Sequence, residues 1–172
     1  MKNGQYKQIT EIGLPKNING IYFKNMNYLE RGFKKGHEIE EPVSIIIKGD
    51  SKAAFTLENM TKEEFATRLK AACHFIEADA IMIFSEASRW TGTEEEHQFV
   101  MERMGDIHGH VNTKDIVTVF IETQGKQIIG TADMEKKGNK RVMKSMEWFV
   151  SDIPSEDKAL FSNFLPKQKG AA

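Results

Sequence analysis

The chain has 172 residues, 40% of them hydrophobic, with a formal net charge of -1 and one cysteine. This length is typical of one domain, and the hydrophobic content with so little net charge excludes a disordered chain. One cysteine excludes a disulfide scaffold and a cysteine-rich zinc site, and no apolar run approaches the ~18 residues of a membrane-spanning helix. Since the N-terminus also lacks the apolar core of a signal peptide, the sequence predicts a cytoplasmic protein.

The near-neutral charge is the sum of three unequal segments. Residues 1–36 carry a net charge of +5, residues 37–123 carry -9 and residues 124–172 carry +3. Acidic helices and loops that happen to lie in the middle of the chain would explain this pattern. The alternative is an acidic face that docks a partner. The sequence is compatible with both interpretations.

The N-terminal part of the chain is polar and then becomes apolar. Residues 1–20 are rich in glycine and asparagine, which predicts a loosely attached arm ahead of one domain over residues 21–166. Apolar residues at helical spacing predict a short helix over Met26–Lys35, ended by a glycine in the left-handed conformation. The strands Val43–Lys48 and Lys52–Leu57 then form a hairpin around a Gly-Asp turn.

Two capping boxes mark helices in the middle of the chain. Thr61 and Glu64 have the spacing in which the hydroxyl accepts from the backbone N–H three residues on and the carboxylate reaches back. Thr93 and Glu96 repeat the pattern and predict a second, shorter helix. Between the two helices, Asp79–Ser85 has the apolar composition of a buried strand. The stripe after the first box consists of Phe65, Leu69, Ala72 and Ile76.

The last third of the sequence predicts a meander and a terminal helix. A strand over Ile116–Ile121 is followed by two strands with apolar residues on one face, the second interrupted by Lys144. The rows are Ile128, Gly130, Ala132 and Met134 in the first strand, and Val142, Met146, Trp148 and Val150 in the second. A helix should begin at Pro154 and end before Pro166, leaving residues 167–172 as a mobile tail.

The predicted order of elements determines the expected fold class. Helix, hairpin, helix, strand, helix, three-stranded meander and helix follow one another, and the short turns between strands require antiparallel pairing. We therefore expect an α+β domain of two layers, in which helices pack on one face of a mostly antiparallel sheet of about six strands.

Several segments together resemble an uncharacterised group of small bacterial and phage α+β proteins whose central strand ends in Ser-Glu-Ala-Trp. The matching segments cover roughly residues 37–150 and are His37–Pro42, Glu64–Ala80, Ser85–Ala87 with Trp90, and Asp115–Glu122. In this chain, three residues separate Glu86 from Trp90, which departs from that pattern. The resemblance implies a shared fold, a phage or bacterial origin, and a place for Glu86, Trp90 and Glu122 near one another at one end of the sheet.

One loop carries the residue types of a metal site. His108 and His110 are separated by one residue and could chelate a divalent metal, with Asp106 or Asp115 as the oxygen ligand. The alternative is a solvated loop in which the histidines have no ligand role.

Two strand-end carboxylates form a second candidate site. Glu86 and Glu122 each end an otherwise apolar strand, where a side chain can enter a cleft. Paired carboxylates can act as general acid and base, or can hold Mg²⁺ together with Asp115. The alternative is that both face water or pair with Arg89 or Arg103.

The sequence contains no intact motif for a serine or cysteine nucleophile, for a phosphate-binding loop or for dinucleotide binding. It therefore favours a protein-binding domain that needs no cofactor. The expected binding residues are Glu86, Trp90, Glu94, Glu95 and Glu96. Given the resemblance, such a domain would be a regulator or inhibitor from a phage or mobile element. The alternatives are a phosphodiesterase-like, metal-dependent hydrolase and a homo-oligomeric module. The chain's pI of about 6.5 argues against a dedicated nucleic-acid binder.

Overall fold

The computed structural model describes residues 4–56, 58–105, 113–153 and 163–166. These ranges contain three α-helices and eight β-strands. The helices are α1 (Lys16–Lys34), α2 (Lys62–Phe75) and α3 (Glu94–Met104). The strands are β1 (Gly4–Tyr6), β2 (Val43–Lys48), β3 (Ser51–Thr56), β4 (Ala80–Trp90), β5 (Thr113–Thr123), β6 (Lys126–Lys137), β7 (Lys140–Met143) and β8 (Glu147–Asp152).

The strands form one antiparallel sheet in the order β1-β8-β6-β5-β4-β2-β3, and β7 pairs with β6 outside this path. The predicted α+β class and antiparallel pairing are confirmed. The sheet has eight strands where about six were expected, for two reasons. The N-terminal residues add β1, and the predicted last strand is divided into β7 and β8 near Lys144, where its apolar row was interrupted.

Alternate residues of the central strand β4 serve two cores on opposite faces of the sheet. Met82 and Phe84 lie in the core beneath α1, whereas Ile81 and Ile83 lie in the core beneath α2. The prediction that the helices share one face is therefore wrong. The first five residues of β4, Ala80–Phe84, are apolar and buried at every position, so they must be covered on both sides and helices are required on both faces.

The predicted N-terminal arm is part of the fold in the residues that the structure describes. β1 pairs with β8, and Ile9 and Ile18 are each only 3% exposed in the core beneath α1. Helix α1 begins at Lys16, well before the predicted start at Met26. Ile9 and Ile18 stand among polar residues, so the sequence showed no periodic pattern there. Both side chains are nevertheless buried in this core.

Both predicted helix starts are confirmed by their caps. The Thr61 hydroxyl accepts from the Glu64 N–H at 3.1 Å, and the Thr93 hydroxyl accepts from the Glu96 N–H at 3.2 Å. The glycine after α1, Gly36, has the predicted left-handed conformation with φ +86°. The helix predicted from Pro154 falls mainly, and the tail 167–172 entirely, outside the described residues.

A close contact between β6 and β8 generates a stability prediction. Gly130 lies directly opposite the fully buried Trp148, and a Cβ at Gly130 would meet the indole ring at 2.7 Å. Replacing Gly130 with alanine should therefore lower the free energy of unfolding by about 1–3 kcal/mol, the usual cost of overpacking. Denaturant unfolding measures this change.

Gly20 is the matched control, because a Cβ there meets nothing within 4 Å in helix α1. Gly20→Ala should be neutral or should raise the free energy of unfolding by up to about 1 kcal/mol. Equal effects of the two substitutions would contradict the proposed packing of Trp148 on Gly130.

Candidate functional site

Glu86 is an anchor for a backbone segment on the α1 face of the sheet. It lies on β4 opposite Val117, a residue of the α1 core, and its side chain is only 12% exposed. One carboxylate oxygen accepts from the Ile39 N–H, and the other pairs with Nη2 of Arg141 on β7. Glu86 thus ties the segment between α1 and β2 to the sheet.

Arg141 completes this anchor from the other side. Its Nη1 donates to the His37 carbonyl at 2.8 Å, Nη2 lies 3.7 Å from the Asp115 carboxylate, and the guanidinium lies 5.5 Å from the ring centre of Phe33. Burial by itself would lower the pKa of Arg141, but the hydrogen bond and charge of Glu86 raise that pKa above its ordinary value. Arg141 is therefore a fixed positive charge that joins α1, the 37–39 segment and β7.

A groove opens beside this anchor, between the C-terminal half of α1 and residues 37–43. Its volume is about 580 Å³, within the range of ligand-binding clefts. Its apolar lining consists of Tyr28, Leu29, Phe33, Ile39 and Val43. Its charged lining consists of Arg31 and Lys35 on the α1 side and Glu38, Glu40 and Glu41 on the other. The groove therefore combines an apolar surface with rims of opposite charge.

Glu122 is a second anchor, on the α2 face. It is fully buried, and its two oxygens accept from the Phe164 N–H at 3.1 Å and the Leu165 N–H at 2.8 Å. Burial raises the pKa of Glu122, although the backbone N–H groups and the charge of Lys70 act in the opposite direction. The carboxyl group satisfies two buried backbone donors and holds residues 163–165 on the sheet.

The two carboxylates do not form the pair that was predicted. Glu86 points to the α1 face opposite Val117, whereas Glu122 lies opposite Ile81 and points to the α2 face. Val117 and Glu122 are also five residues apart on β5, or about 17 Å along the strand. Carboxylates that act on one glycosidic bond, for comparison, lie about 5–9.5 Å apart. A shared acid–base or Mg²⁺ site for this pair is therefore excluded, because the strand register separates them.

The predicted binding cluster is also divided. Trp90 lies opposite Thr113, at the end of β5 away from Glu122, and its Nε1 donates to the Thr93 carbonyl at 2.8 Å. Its ring centre lies 5.4 Å from that of His97. The exposed residues Glu94, Glu95 and Glu96 occupy the first turn of α3, where negative charge is favourable, while Glu86 is occupied by its anchor contacts.

Most of the predicted metal loop lies outside the described residues, namely Asp106, His108 and His110. Asp115 is described, and it lies 3.7 Å from the guanidinium of Arg141. In the part of the chain that the structure describes, no group of three histidine, cysteine, aspartate or glutamate residues is placed to hold a metal ion.

Sequence reasoning missed the role of Arg141. Arg141 follows Lys136, Lys137 and Lys140 in a basic stretch of the sequence, as is typical of an exposed hairpin, whereas Arg141 is only 7% exposed. A signal was present, since a single arginine among lysines fits the preference of the guanidinium for buried, multiply hydrogen-bonded sites.

The comparisons with known proteins do not assign the chain to a family. No family model, curated protein or solved structure matches it. No helix among the described residues is both long and apolar enough to cross a membrane.

The buried ion pair generates a double-mutant prediction. Glu86→Leu and Arg141→Met should each lower the free energy of unfolding by about 3–5 kcal/mol, because each leaves the partner's charge buried without its main counter-charge. The double substitution should cost less than the sum of the two. Denaturant unfolding of all four proteins measures the coupling, with Lys140→Met as the exposed control on the same hairpin. Strict additivity would contradict a direct pair.

The buried Glu122 generates a pH prediction. Because its folded pKa lies above the ordinary value, the folded state holds the proton to higher pH than the unfolded state does. The contribution of Glu122 to stability should therefore be greatest below its unfolded pKa of about 4.3 and should fall as pH rises through the raised pKa.

The measurement compares the free energy of unfolding of the parent protein with that of Glu122→Gln across pH. The difference, parent minus variant, should decrease by up to about 1.4 kcal/mol per pH unit between the unfolded pKa of Glu122 and its raised folded pKa. Glu63→Gln, at an exposed position in the first turn of α2, is the control. A difference that rises with pH would contradict the effect of burial.

Proposed function

We propose that this chain is a protein-binding domain, and that the groove between α1 and residues 37–43 receives a short segment of its partner. The observation that carries the proposal is the anchored wall of the groove. Ile39 is held by Glu86, and the carbonyl of His37 is held by Arg141. A site whose walls are already fixed loses little conformational entropy on binding, which favours affinity.

The lining of the groove indicates the chemistry of that segment. An apolar side chain of the partner would contact Tyr28 and Leu29, which line the groove from α1. Arg31 on the same helix and Lys35 directly after it would attract an acidic residue, and the three glutamates on the opposite rim would attract a basic one. We therefore propose a partner segment with an apolar residue between a basic and an acidic residue.

The contacts of the two candidate catalytic carboxylates favour binding over hydrolysis. Both candidate catalytic carboxylates, Glu86 and Glu122, accept hydrogen bonds from backbone N–H groups, which is a structural use. A regulator or inhibitor from a phage or mobile element would work in this way, by occupying a partner rather than by transforming a substrate.

Peptide selection against the immobilised full-length chain tests the proposal. Dodecapeptides enriched from a random library should share an apolar residue flanked by opposite charges. A synthetic enriched peptide, followed by fluorescence anisotropy, should bind about tenfold or more weakly to Tyr28→Ala, because exposed aromatic residues dominate such contacts.

Phe75→Ala is the matched control. Phe75 is an aromatic residue that is 90% exposed, against 70% for Tyr28, and it ends α2, which packs on the other face of the sheet. Affinity should be unchanged in this variant. Selection that enriches no common pattern, or an equal loss in both variants, would overturn the proposed site.

A further inference from the structure

The two edges of the sheet are built differently. In the described residues, β1 forms one edge with three residues, whereas β3 forms the other with six. The pairing of β3 with β2 continues without a bulge from Lys48 opposite Ser51 to Val43 opposite Thr56. Natural edges are usually shortened, bulged, interrupted by proline or lined with charged residues, and of these features β3 shows only the single charge of Lys52.

The outer side of β3 presents backbone groups in a known register. Gly49 and Asp50 form a two-residue turn, with Gly49 at φ +55°, so Lys48 and Ser51 are a hydrogen-bonded pair. By alternation, the N–H and C=O groups of Ser51, Ala53 and Phe55 point to β2. The hydrogen bond from the Ser44 hydroxyl to the Phe55 carbonyl agrees with this assignment.

The backbone groups of the other three residues, Lys52, Ala54 and Thr56, therefore point away from the sheet. All six residues of β3 are exposed, and no described strand pairs with this side. The edge thus offers three N–H donors and three C=O acceptors, regularly spaced, to another extended strand.

We propose that β3 pairs antiparallel with β3 of a second copy of this chain, so that one sheet continues through a two-fold symmetric dimer. The two-fold axis passes between the two Ala54 residues, which places Lys52 opposite Thr56 of the other copy. These three outward pairs would exchange about six backbone hydrogen bonds.

The side chains of β3 are compatible with pairing to a second copy in this register. Lys52, the only charged residue of the strand, faces a threonine rather than its own copy, which avoids like-charge repulsion. On the other face, Phe55, which is 43% exposed, would cover Ala53 of the second copy at the closest cross-strand spacing.

A charge-swap experiment at Ala54 tests both the dimer and its register. Sedimentation equilibrium of the full-length chain should show a concentration-dependent dimer. Ala54→Lys and Ala54→Glu should each weaken it about two- to fivefold, because like charges would then face each other at the axis. An equimolar mixture of the two variants should restore dimers, since opposite charges would face each other.

Restoration in the mixture also shows that both variants fold, and circular dichroism of each variant gives a second check. Tyr28→Ala should leave the dimer unchanged, which separates this surface from the proposed groove. A chain that stays monomeric at several hundred micromolar would overturn the proposal, and so would a dimer that neither single variant weakens. A mixture no more dimeric than its components would overturn the register centred on Ala54.

Discussion

The antiparallel pair of β4 and β5 constrains the rest of the structure. It runs without interruption from Ala80 opposite Thr123 to Trp90 opposite Thr113. Since side chains alternate along a strand, this one ladder supplies both cores, and each core needs its own helix. Helix α1 precedes β2 and covers one face, whereas α2 connects β3 to β4 across the other. The position of a residue along β4 or β5 thus determines which helix it lies beneath.

The same ladder explains why two buried carboxylates are tolerated. Each lies where the apolar part of the sheet meets a segment without regular structure, residues 37–39 for Glu86 and residues 163–165 for Glu122. Irregular segments carry backbone N–H groups that no strand or helix satisfies, and leaving them buried without an acceptor costs about 1–3 kcal/mol each. A carboxylate offers two acceptor oxygens, so it can dock such a segment. A strand-end acid is therefore a structural device as well as a catalytic candidate.

Sequence reasoning succeeded where the determining residues are neighbours. The caps at Thr61 and Thr93 and the turn at Gly49 depend on side chains and dihedral angles within about four residues, and all three were predicted. It failed where the determinant is a distant strand. The partner of Glu86 is 55 residues away on β7. A shift of one residue in the register of the intervening strands would move a side chain to the other face, and no local pattern reports that register.

The folded structure separates the residues of the acidic central segment into buried and exposed groups. The acidic central segment does not remain at the surface as one set, because Glu86 and Glu122 enter the two anchors while Glu94 and its neighbours stay exposed on α3. Arg141, which neutralises Glu86, comes from the basic C-terminal segment. Opposite net charges on segments far apart in sequence favour contacts between them and disfavour contacts within each one. Segregated charge along a chain is therefore consistent with long-range pairing inside a fold, and the groove proposed to bind a partner lies beside this ion pair.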